Sequence, residues 1–265
     1  MPDSSDVTDL ALALSLADAA DQVTMSRFGA ADLRVDAKPD LTPVTDADRD
    51  TEQLLRDRLA QRRPADAIVG EEFTDTGSAA RRWVLDPIDG TKNFVRGVPV
   101  WATLIGLLDG DSPLLGVVSA PALGRRWWAE CGGGAWCTAL GAPARRLRVS
   151  GVSDLADASL AYSEITEWER SGRLAPFLEL CRRVWRTRGF GDFWSYMLVA
   201  EGAVDLAAEP ELALWDMAAL APIVREAGGA FTGLNGRPGP GHGSAVASNG
   251  LLHQAFLAAL NPFAS

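Results

Sequence analysis

Residues 86–94 read Asp86-Pro87-Ile88-Asp89-Gly90-Thr91-Lys92-Asn93-Phe94 and carry the strongest structural signal in this 265-residue chain. They follow an apolar run and place two carboxylates, a proline, a glycine and a hydroxyl close together. Carboxylate and carbonyl oxygens are the ligands that Mg²⁺ prefers, and a Gly-Thr step that opens a helix offers N–H groups to a phosphate. Asp, Pro and Gly are also common in ordinary turns. The whole string, with an acidic pair upstream, indicates a metal site.

Pro87 determines how the two carboxylates of this motif are presented. The residue before a proline avoids the helical region, so Asp86 is predicted to be extended. Asp86 and Asp89 then point into one space, with the Ile88 carbonyl between them. A carboxylate that bridges two cations about 3.5–4 Å apart is typical of two-metal phosphoryl-transfer sites.

Composition and charge narrow the class of protein. With 47% hydrophobic and 23% charged residues, the chain is typical of a globular protein with one large domain or two packed halves. A net charge of −10 argues against binding to a nucleic-acid backbone, although a bound metal still permits a phosphorylated small molecule. No signal peptide is apparent, and the apolar run at residues 10–20 is too short to span a bilayer. We therefore expect neither nucleic acid nor membrane as a partner.

Cysteine and histidine usage narrows the chemistry. Cys131, Cys137 and Cys181 are an odd number without a Cys-x-x-Cys pair, which predicts reduced thiols in a cytoplasmic protein. The two histidines, His242 and His253, lie in no recognisable metal or triad motif. This excludes a multi-histidine zinc site, so catalysis is expected to depend mainly on carboxylates and metal ions.

The first half of the chain is predicted to mix helices and strands. Apolar spacing predicts a helix from about Ser5 to Phe28, and Thr45 is predicted to cap a second helix that stops at Pro64. The segment between them is predicted to be a loop or an irregular strand. Further strands are expected at residues 67–69, at residues 82–85 and within residues 101–137, with a hairpin turn rather than a phosphate loop at residues 131–134.

The second half is predicted to alternate helix and strand. Helices are expected at residues 176–184, 193–201 and 215–227, and a strand at residues 204–208. Alternation of this kind indicates a layered α/β architecture. A boundary near residues 149–150 would separate an N-terminal α+β half, residues 1–148, from a C-terminal α/β half, residues 149–265.

Acidic residues recur at the ends of predicted elements, which is where open α/β sheets build their sites. Asp46 alone is explained equally well as a helix-start residue that favours the helix dipole. Glu72 is expected to be an exposed neighbour, and Glu71 to be the better ligand. The four acidic segments are Asp46, Glu71 with Glu72, Asp86 with Asp89, and Asp216.

These motifs together resemble the inositol monophosphatase-like family of Mg²⁺-dependent, lithium-sensitive phosphatases. The resemblance implies a mixed α/β fold, a five-layer α/β/α/β/α sandwich, and hydrolysis of phosphomonoesters. It also implies a homodimer, since family members are commonly dimeric. The matching segments are Gly70-Glu71-Glu72, residues 86–94, Trp215-Asp216-Met217-Ala218-Ala219 and Glu226-Ala227-Gly228-Gly229.

The resemblance also implies two to three Mg²⁺ ions, with Mn²⁺ as an alternative. Carried over by motif, Glu71, Asp86 and the Ile88 carbonyl would hold the first ion. Asp86, Asp89 and Asp216 would hold the second. A third, weaker ion would involve Glu71 and, through water, Asp46.

The same carry-over implies roles in catalysis and substrate binding. Thr91 would pair with Glu71 to activate the attacking water, with Asp46 assisting. The amides of Gly90 and Thr91 would hold the phosphate, and Asp89 and Asp216 would also contact the substrate. Lys38 lies in a segment that is a mobile loop in the family. Hydrolysis would proceed by direct in-line attack, without a covalent enzyme intermediate.

Two segments favour histidinol phosphate as the substrate. Residues 38–49 and 188–196 resemble the histidinol-phosphatase branch of the family. Histidinol phosphate carries an ammonium and an imidazole, which favour carboxylates and aromatic faces. Asp192 and Glu209 are predicted to supply the carboxylates, and Arg188 to orient Asp192 or reach the phosphate.

Two alternatives to this function remain open. One is an inositol-1-monophosphatase or a broad-specificity sugar phosphatase. Another is a regulatory protein that binds metal or phosphate without catalysis, which an intact Glu71 and Thr91 argue against. Packing of a helix explains Phe193, Trp194 and Tyr196 as well as contact with a substrate does.

Overall fold

Two helices and a short hairpin open the fold in the computed structural model, which describes residues 7–39 and 41–261. Helix α1 (Asp9–Arg27) begins later than predicted, because the Thr8 hydroxyl caps it by accepting from the Ala11 amide. The predicted loop or irregular strand contains a two-stranded sheet, β1 (Val35–Ala37) and β2 (Pro43–Thr45). As predicted, Thr45 caps α2 (Asp46–Arg62).

The N-terminal half builds a seven-stranded sheet whose strand order follows the sequence. Only its first pair of strands is parallel; the others are antiparallel. The predicted hairpin turn at residues 131–134 is confirmed, and a short helix α3 (Thr91–Arg96) follows the second strand. The strands are β3 (Ala67–Gly70), β4 (Arg81–Asp89), β5 (Ala102–Asp109), β6 (Ser112–Ala120), β7 (Arg125–Glu130), β8 (Gly134–Ala139) and β9 (Arg145–Arg146).

Within residues 149–261, the C-terminal half builds a five-stranded mixed sheet and six α-helices. Its strands are β10 (Ser159–Ala161), β11 (Arg186–Arg188), β12 (Leu206–Glu209), β13 (Ala230–Thr232) and β14 (Ala245–Ser248). They are arranged β11-β10-β12-β14-β13, so the connections β11 to β12 and β12 to β13 each pass one intervening strand. The helices are α4 (Ile165–Arg170), α5 (Leu174–Arg183), α6 (Asp192–Ala200), α7 (Leu214–Ala218), α8 (Leu220–Glu226) and α9 (His253–Leu260).

These elements stack in five layers, which confirms the predicted α/β/α/β/α sandwich. Helices α1 and α2 cover one face of the seven-stranded sheet, and α7 and α8 cover the other. Helices α6 and α8 also contact the inner face of the five-stranded sheet, and α9 contacts its outer side. Each interface is filled by buried apolar side chains, such as Trp83 below α1, Met197 in the central layer and Phe256 of α9 on the outer side.

The predicted helix at residues 215–227 is two helices, α7 and α8, that meet at Ala219. Pro222 explains the break, because it has no N–H to donate to the carbonyl of residue 218 and its ring crowds that turn. The helices also lie very close to the sheet beneath them. A Cβ at Gly106 would lie 2.9 Å from Ala218, and one at Gly116 would overlap the Ala219 carbonyl. This close packing fixes the position of the turn that carries Asp216.

The two sheets share one core. Its largest cluster joins Leu104 and Val118 of the first sheet to Phe193, Met217 and Phe231 of the second half. Along the chain, residues 148 and 149 lie between β9, the last strand of the first sheet, and β10, the first strand of the second. Each half therefore buries its inner face against the other.

Candidate active site

Strand β4 delivers the first carboxylates of the site. Asp86 pairs with Leu104 of β5, and the register then shifts before Asp89 pairs with Ala102. Such a bulge bends the strand and redirects its side chains. The Pro87 carbonyl accepts a hydrogen bond from the Thr103 hydroxyl at 2.8 Å. The extended conformation predicted for Asp86 is confirmed.

Helix α7 brings in a third carboxylate from far along the chain. Asp216 lies in its first turn, and Asp216 Oδ2 accepts a hydrogen bond from the Ala213 amide at 2.6 Å. One oxygen from each of Asp86, Asp89 and Asp216 lies within 4.8 Å of the others. Three of the residues predicted to bind metal are therefore brought together.

The electrostatics of this cluster are unfavourable without a cation. Burial, followed by the nearby charges of Glu71, Asp89 and Asp216, raises the pKa of Asp86 well above its usual range. Burial, followed by the charge of Asp192, does the same for the pKa of Asp89. Burial also raises the pKa of Asp216 to about 7.

The residues present fit a hard divalent cation. Asp86 Oδ1 is buried and has no hydrogen-bond partner among the described residues. The donors are all oxygens, which suits Mg²⁺ or Mn²⁺ and does not suit a soft metal. A divalent cation at this position would satisfy the orphaned oxygen and relieve the repulsion between the carboxylates.

Glu71 lies at the rim of the cluster, where Lys38 holds it. The Lys38 ammonium donates to Glu71 Oε1 at 2.6 Å and to Glu72 Oε1 at 2.7 Å. Burial raises the pKa of Glu71. Burial alone would lower the pKa of Lys38, but the hydrogen bonds of Lys38 to Glu71 and Glu72 raise this pKa overall. The prediction that Glu72 is an exposed neighbour is wrong, because its side chain is only 5% exposed.

Thr91 faces Asp48, and the structure places Asp46 elsewhere. The Thr91 hydroxyl lies 3.0 Å from the Ile88 carbonyl and 3.4 Å from Asp48 Oδ1. No hydrogen bond joins Thr91 to Glu71 among the described residues. Asp46 instead forms an ion pair of 2.8 Å with Arg27. Asp46 therefore does not occupy the place predicted for it beside Thr91 and the metal ligands.

Asp48 is a site residue that the sequence interpretation missed. Its carboxylate is buried, and it accepts from the Thr45 amide at 2.8 Å and from the Thr45 hydroxyl at 2.5 Å. Burial raises its pKa to about 7. In a capping box, a Thr is followed three residues later by an acidic residue whose side chain bonds back to the start of the helix. This spacing from Thr45 identifies Asp48, and not Asp46, as that residue.

Gly90 lies between the metal cluster and the rest of the cavity. It has a φ of +85° and forms the N-cap of α3, whose first residue is Thr91. A Cβ here would lie 3.0 Å from the Val100 carbonyl and 3.1 Å from Asp192 Oδ2. Both the backbone conformation and the space therefore require glycine, and Gly90 and Thr91 both line the cavity.

The cavity is large and is lined by more acidic than basic side chains. It has a volume of about 710 Å³ and is lined by both halves of the chain. Asp192, with a φ of +45°, and the buried Glu209 both line it. Burial raises the pKa of Asp192 to about 6 and that of Glu209 to about 8. Glu167, which the sequence interpretation missed, also lines the cavity.

Two predictions about the neighbouring segment differ from the structure. Arg188 is exposed, donates to the carbonyl of Thr187 at 2.7 Å and does not line the cavity, so the predicted contact with Asp192 is wrong. Asp192 is held instead by the Asn93 amide group at 3.3 Å. Among the aromatic residues, Phe193 and Tyr196 are buried in the core, which agrees with a packing role. Both also line the cavity.

Comparison with known proteins agrees with this geometry. A sequence profile of the inositol monophosphatase family matches residues 5–263. The chain belongs to that family. A family member from Thermotoga maritima, described as an IMPase, superposes with a TM-score of 0.84 at 29% identity, over 96% of each chain.

Two curated family members are much closer in sequence. A histidinol-phosphatase of Streptomyces coelicolor is 61% identical over 98% of this chain and 99% of its own length. A histidinol-phosphatase of Mycobacterium tuberculosis is 59% identical over 96% of this chain and 98% of its own length.

Two further findings concern the expected setting of the protein. In residues 7–39 and 41–261 no helix is long and apolar enough to cross a bilayer. Cys131, Cys137 and Cys181 are free thiols, as the sequence predicted.

Proposed function

We propose that this protein is a divalent-cation-dependent phosphomonoesterase that hydrolyses histidinol phosphate to histidinol and phosphate, a reaction of histidine biosynthesis. The observation that carries the reaction class is the convergence of Asp86, Asp89 and Asp216 on one buried point beside Gly90 and Thr91. The close similarity to two histidinol-phosphatases supports the substrate.

The cations in this proposal are two to three Mg²⁺ ions, which Mn²⁺ can replace. Glu71, Asp86 and the Ile88 carbonyl would hold one, and Asp86, Asp89 and Asp216 another. Glu71 would also contribute to a third, weaker position. When bound, such cations acidify the attacking water and stabilise the oxygen that leaves.

The protein groups that handle the water are Thr91 and Asp48 in this proposal. Asp48 lies within reach of the Thr91 hydroxyl, and burial keeps its pKa near neutrality. A carboxylate with such a pKa can accept a proton from the hydroxyl, which in turn can accept one from water. The amides of Gly90 and Thr91 would hold the phosphate.

The acidic wall of the cavity supports a cationic leaving group. Asp192 and Glu209 lie beyond the metal cluster, and Glu209 Oε1 is buried without a hydrogen-bond partner among the described residues. The ammonium of histidinol would satisfy these carboxylates, and its imidazole can lie against Phe190 and Trp215. Inositol has only hydroxyls and would leave the charges unpaired.

The proposal includes a cytoplasmic location and a homodimer. The free thiols agree with a reducing compartment. The dimer comes from the family resemblance, and sedimentation equilibrium of the purified protein tests it. A monomer at assay concentration would contradict that part of the proposal.

The decisive test is release of phosphate with Mg²⁺ from histidinol phosphate, inositol 1-phosphate and fructose 1,6-bisphosphate. We expect kcat/KM for histidinol phosphate to be higher by about a hundredfold, which corresponds to roughly 2.7 kcal/mol in the transition state. Asp192→Asn, which suits the left-handed backbone there, should lose more activity with histidinol phosphate than with a neutral sugar phosphate. A flat or inositol-favouring profile would contradict the substrate, and absence of phosphate release would contradict the enzyme.

A further inference from the structure

Behind the loop that carries Glu71 lies a buried ion pair that the proposed chemistry does not use. Glu52 and Arg56 lie one turn apart on α2, and Glu52 Oε1 accepts from Arg56 Nε at 2.7 Å. The Glu52 side chain is completely buried, and that of Arg56 is 9% exposed. A buried ion pair is weak support for stability, because desolvation offsets the attraction. The other contacts of the pair point to a different role.

Each member of the pair also binds the backbone just after Glu71. Glu52 Oε2 accepts from the Glu72 amide at 2.7 Å. The Arg56 guanidinium donates to the carbonyls of Phe73 at 3.1 Å and Thr74 at 3.2 Å. Together the two side chains hold three successive residues of the loop.

The pair also contacts the residue before Glu71. A Cβ at Gly70, the last residue of β3, would overlap Glu52 Oε1 and lie 2.8 Å from an Arg56 nitrogen. The backbone on both sides of Glu71 therefore rests against the same two charges. The Glu71 side chain leaves this anchored segment toward the cavity, where Lys38 meets it.

We infer that Glu52 and Arg56 are positioning residues for Glu71, which they hold in place to bind a divalent cation. They touch neither cation nor substrate in this arrangement. They fix the backbone of residues 70–74 so that the Glu71 carboxylate stays at the rim of the aspartate cluster. The inference rests on the metal site of the proposed function. Outer partners of this kind usually affect metal affinity strongly when they are changed.

The test is binding of Mn²⁺ to Glu52→Gln, measured by electron paramagnetic resonance and calorimetry without substrate. In Glu52 each carboxylate oxygen accepts from a different donor, Arg56 or the Glu72 amide. In the Gln variant an NH₂ donor replaces one of these oxygens, so one of the two hydrogen bonds is lost. We expect Mn²⁺ binding to weaken about 10- to 100-fold, and the Mg²⁺ concentration for half-maximal activity to rise in parallel. Unchanged Mn²⁺ affinity in the folded variant would overturn the inference.

Glu201→Gln is the matched control. The Glu201 side chain is also largely buried, with an exposure of 9%, and pairs with Arg125 and Arg145. It does not line the cavity. This variant should lower the thermal midpoint and leave Mn²⁺ affinity unchanged. An equal loss of Mn²⁺ affinity in Glu201→Gln would show that Glu52 has only a general structural role, and it would overturn the inference.

Gly70→Ala keeps the inference testable if Glu52→Gln does not fold. It retains both charges and displaces the pair through the added methyl group, so Mn²⁺ affinity should again fall. Wild-type affinity in Gly70→Ala would overturn the inference. Absence of Mn²⁺ binding in the wild-type protein would instead contradict the metal site of the proposed function, so the two failures are distinguishable.

Discussion

Asp46 and Asp48 show that the position of a carboxylate on a helix determines which groups it contacts. Both lie in the first turn of α2, and both are acidic. Asp46 faces Arg27, whereas Asp48 turns inward to Thr45 and approaches Thr91. Two residues along a helix rotate a side chain by more than half a turn. Only Asp48 can therefore exchange a proton with the Thr91 hydroxyl.

The first prediction compares Asp48→Asn with Asp46→Asn. Asp48→Asn should lower kcat about 10²- to 10⁴-fold, because it removes the proposed proton acceptor. Asp46→Asn should retain kcat within about threefold, because it loses only a partly exposed ion pair. Steady-state kinetics with saturating Mg²⁺ measure both. Similar losses of kcat in the two variants would contradict the assignment of Asp48, rather than Asp46, as the proton acceptor.

The second prediction concerns Asp86→Asn. Loss of a carboxylate from the proposed metal site should lower kcat/KM at least about a thousandfold, or roughly 4 kcal/mol. The metal-free variant should unfold at or above the wild-type temperature, because one charge leaves a buried cluster of like charges. Differential scanning calorimetry in EDTA checks this. An inactive variant with a markedly lower midpoint would indicate that Asp86 serves the fold rather than the site.

At the scale of elements, the turn between α7 and α8 connects packing to the site. Two glycines in the central strands of the seven-stranded sheet let Ala218 and Ala219 lie against the backbone. Asp216 lies two residues before this contact. The glycines therefore set the distance between the strand that carries Asp86 and the helix that carries Asp216.

The third prediction compares Gly116→Ala with Gly151→Ala. A methyl group at position 116 would overlap the Ala219 carbonyl, whereas none of the surrounding atoms lies within 4 Å of a Cβ at position 151. Gly116→Ala should cost about 1–3 kcal/mol in the free energy of unfolding. It should also weaken Mn²⁺ binding, since α7 must move. Gly151→Ala should change the free energy of unfolding by less than about 1 kcal/mol. Urea denaturation measures both, and equal stabilities would refute the close-packing argument.

At the scale of the whole molecule, the site lies where the two sheets and the central helices meet. β4 of one sheet, β12 of the other and α6 and α7 between them all supply carboxylates to one cavity. Burial at this junction raises the pKa values of several of them together. The stability of the protein is therefore linked to pH and to metal.

The fourth prediction follows from the sign of these shifts. The pKa values of Asp48 and Asp216 are raised to about 7, and in an unfolded chain an aspartate titrates near about 4. Between these values the folded protein binds more protons than the unfolded chain. The free energy of unfolding of the metal-free protein should therefore fall as pH rises from about 5 to about 8.

Urea denaturation in EDTA at several pH values measures this slope. Saturating Mg²⁺ should flatten or reverse it, because the cation binds the deprotonated carboxylates. Asp216→Asn should reduce the slope in EDTA, because it removes one of the titrating groups. A metal-free stability that rises over this pH range would contradict the raised pKa values.

Local signals in the sequence were sufficient for much of this protein. Apolar spacing, caps and turn residues located helices α1, α2, α5 and α6 and about half of the strands, and the Asp86 motif located the site. The conformation of Asp86 was predictable because Pro87 restricts its neighbour directly. The break at Ala219 was also encoded locally, in Pro222, although the prediction of one continuous helix overlooked it.

The sequence by itself determined many of the secondary elements, the acidic character of the site and, through its motifs, the family. It did not predict β10, β11, β13, β14, α4 or α9. Only the tertiary structure decided which acidic residues meet. Asp48 rather than Asp46 faces Thr91, the Glu72 side chain is buried, Arg188 does not line the cavity, and Glu52 with Arg56 contacts the Glu71 loop. The physical reason is that the local sequence pattern determines whether a segment forms a helix or a strand. The direction and partners of a charged side chain depend on burial and on charges brought from distant parts of the chain.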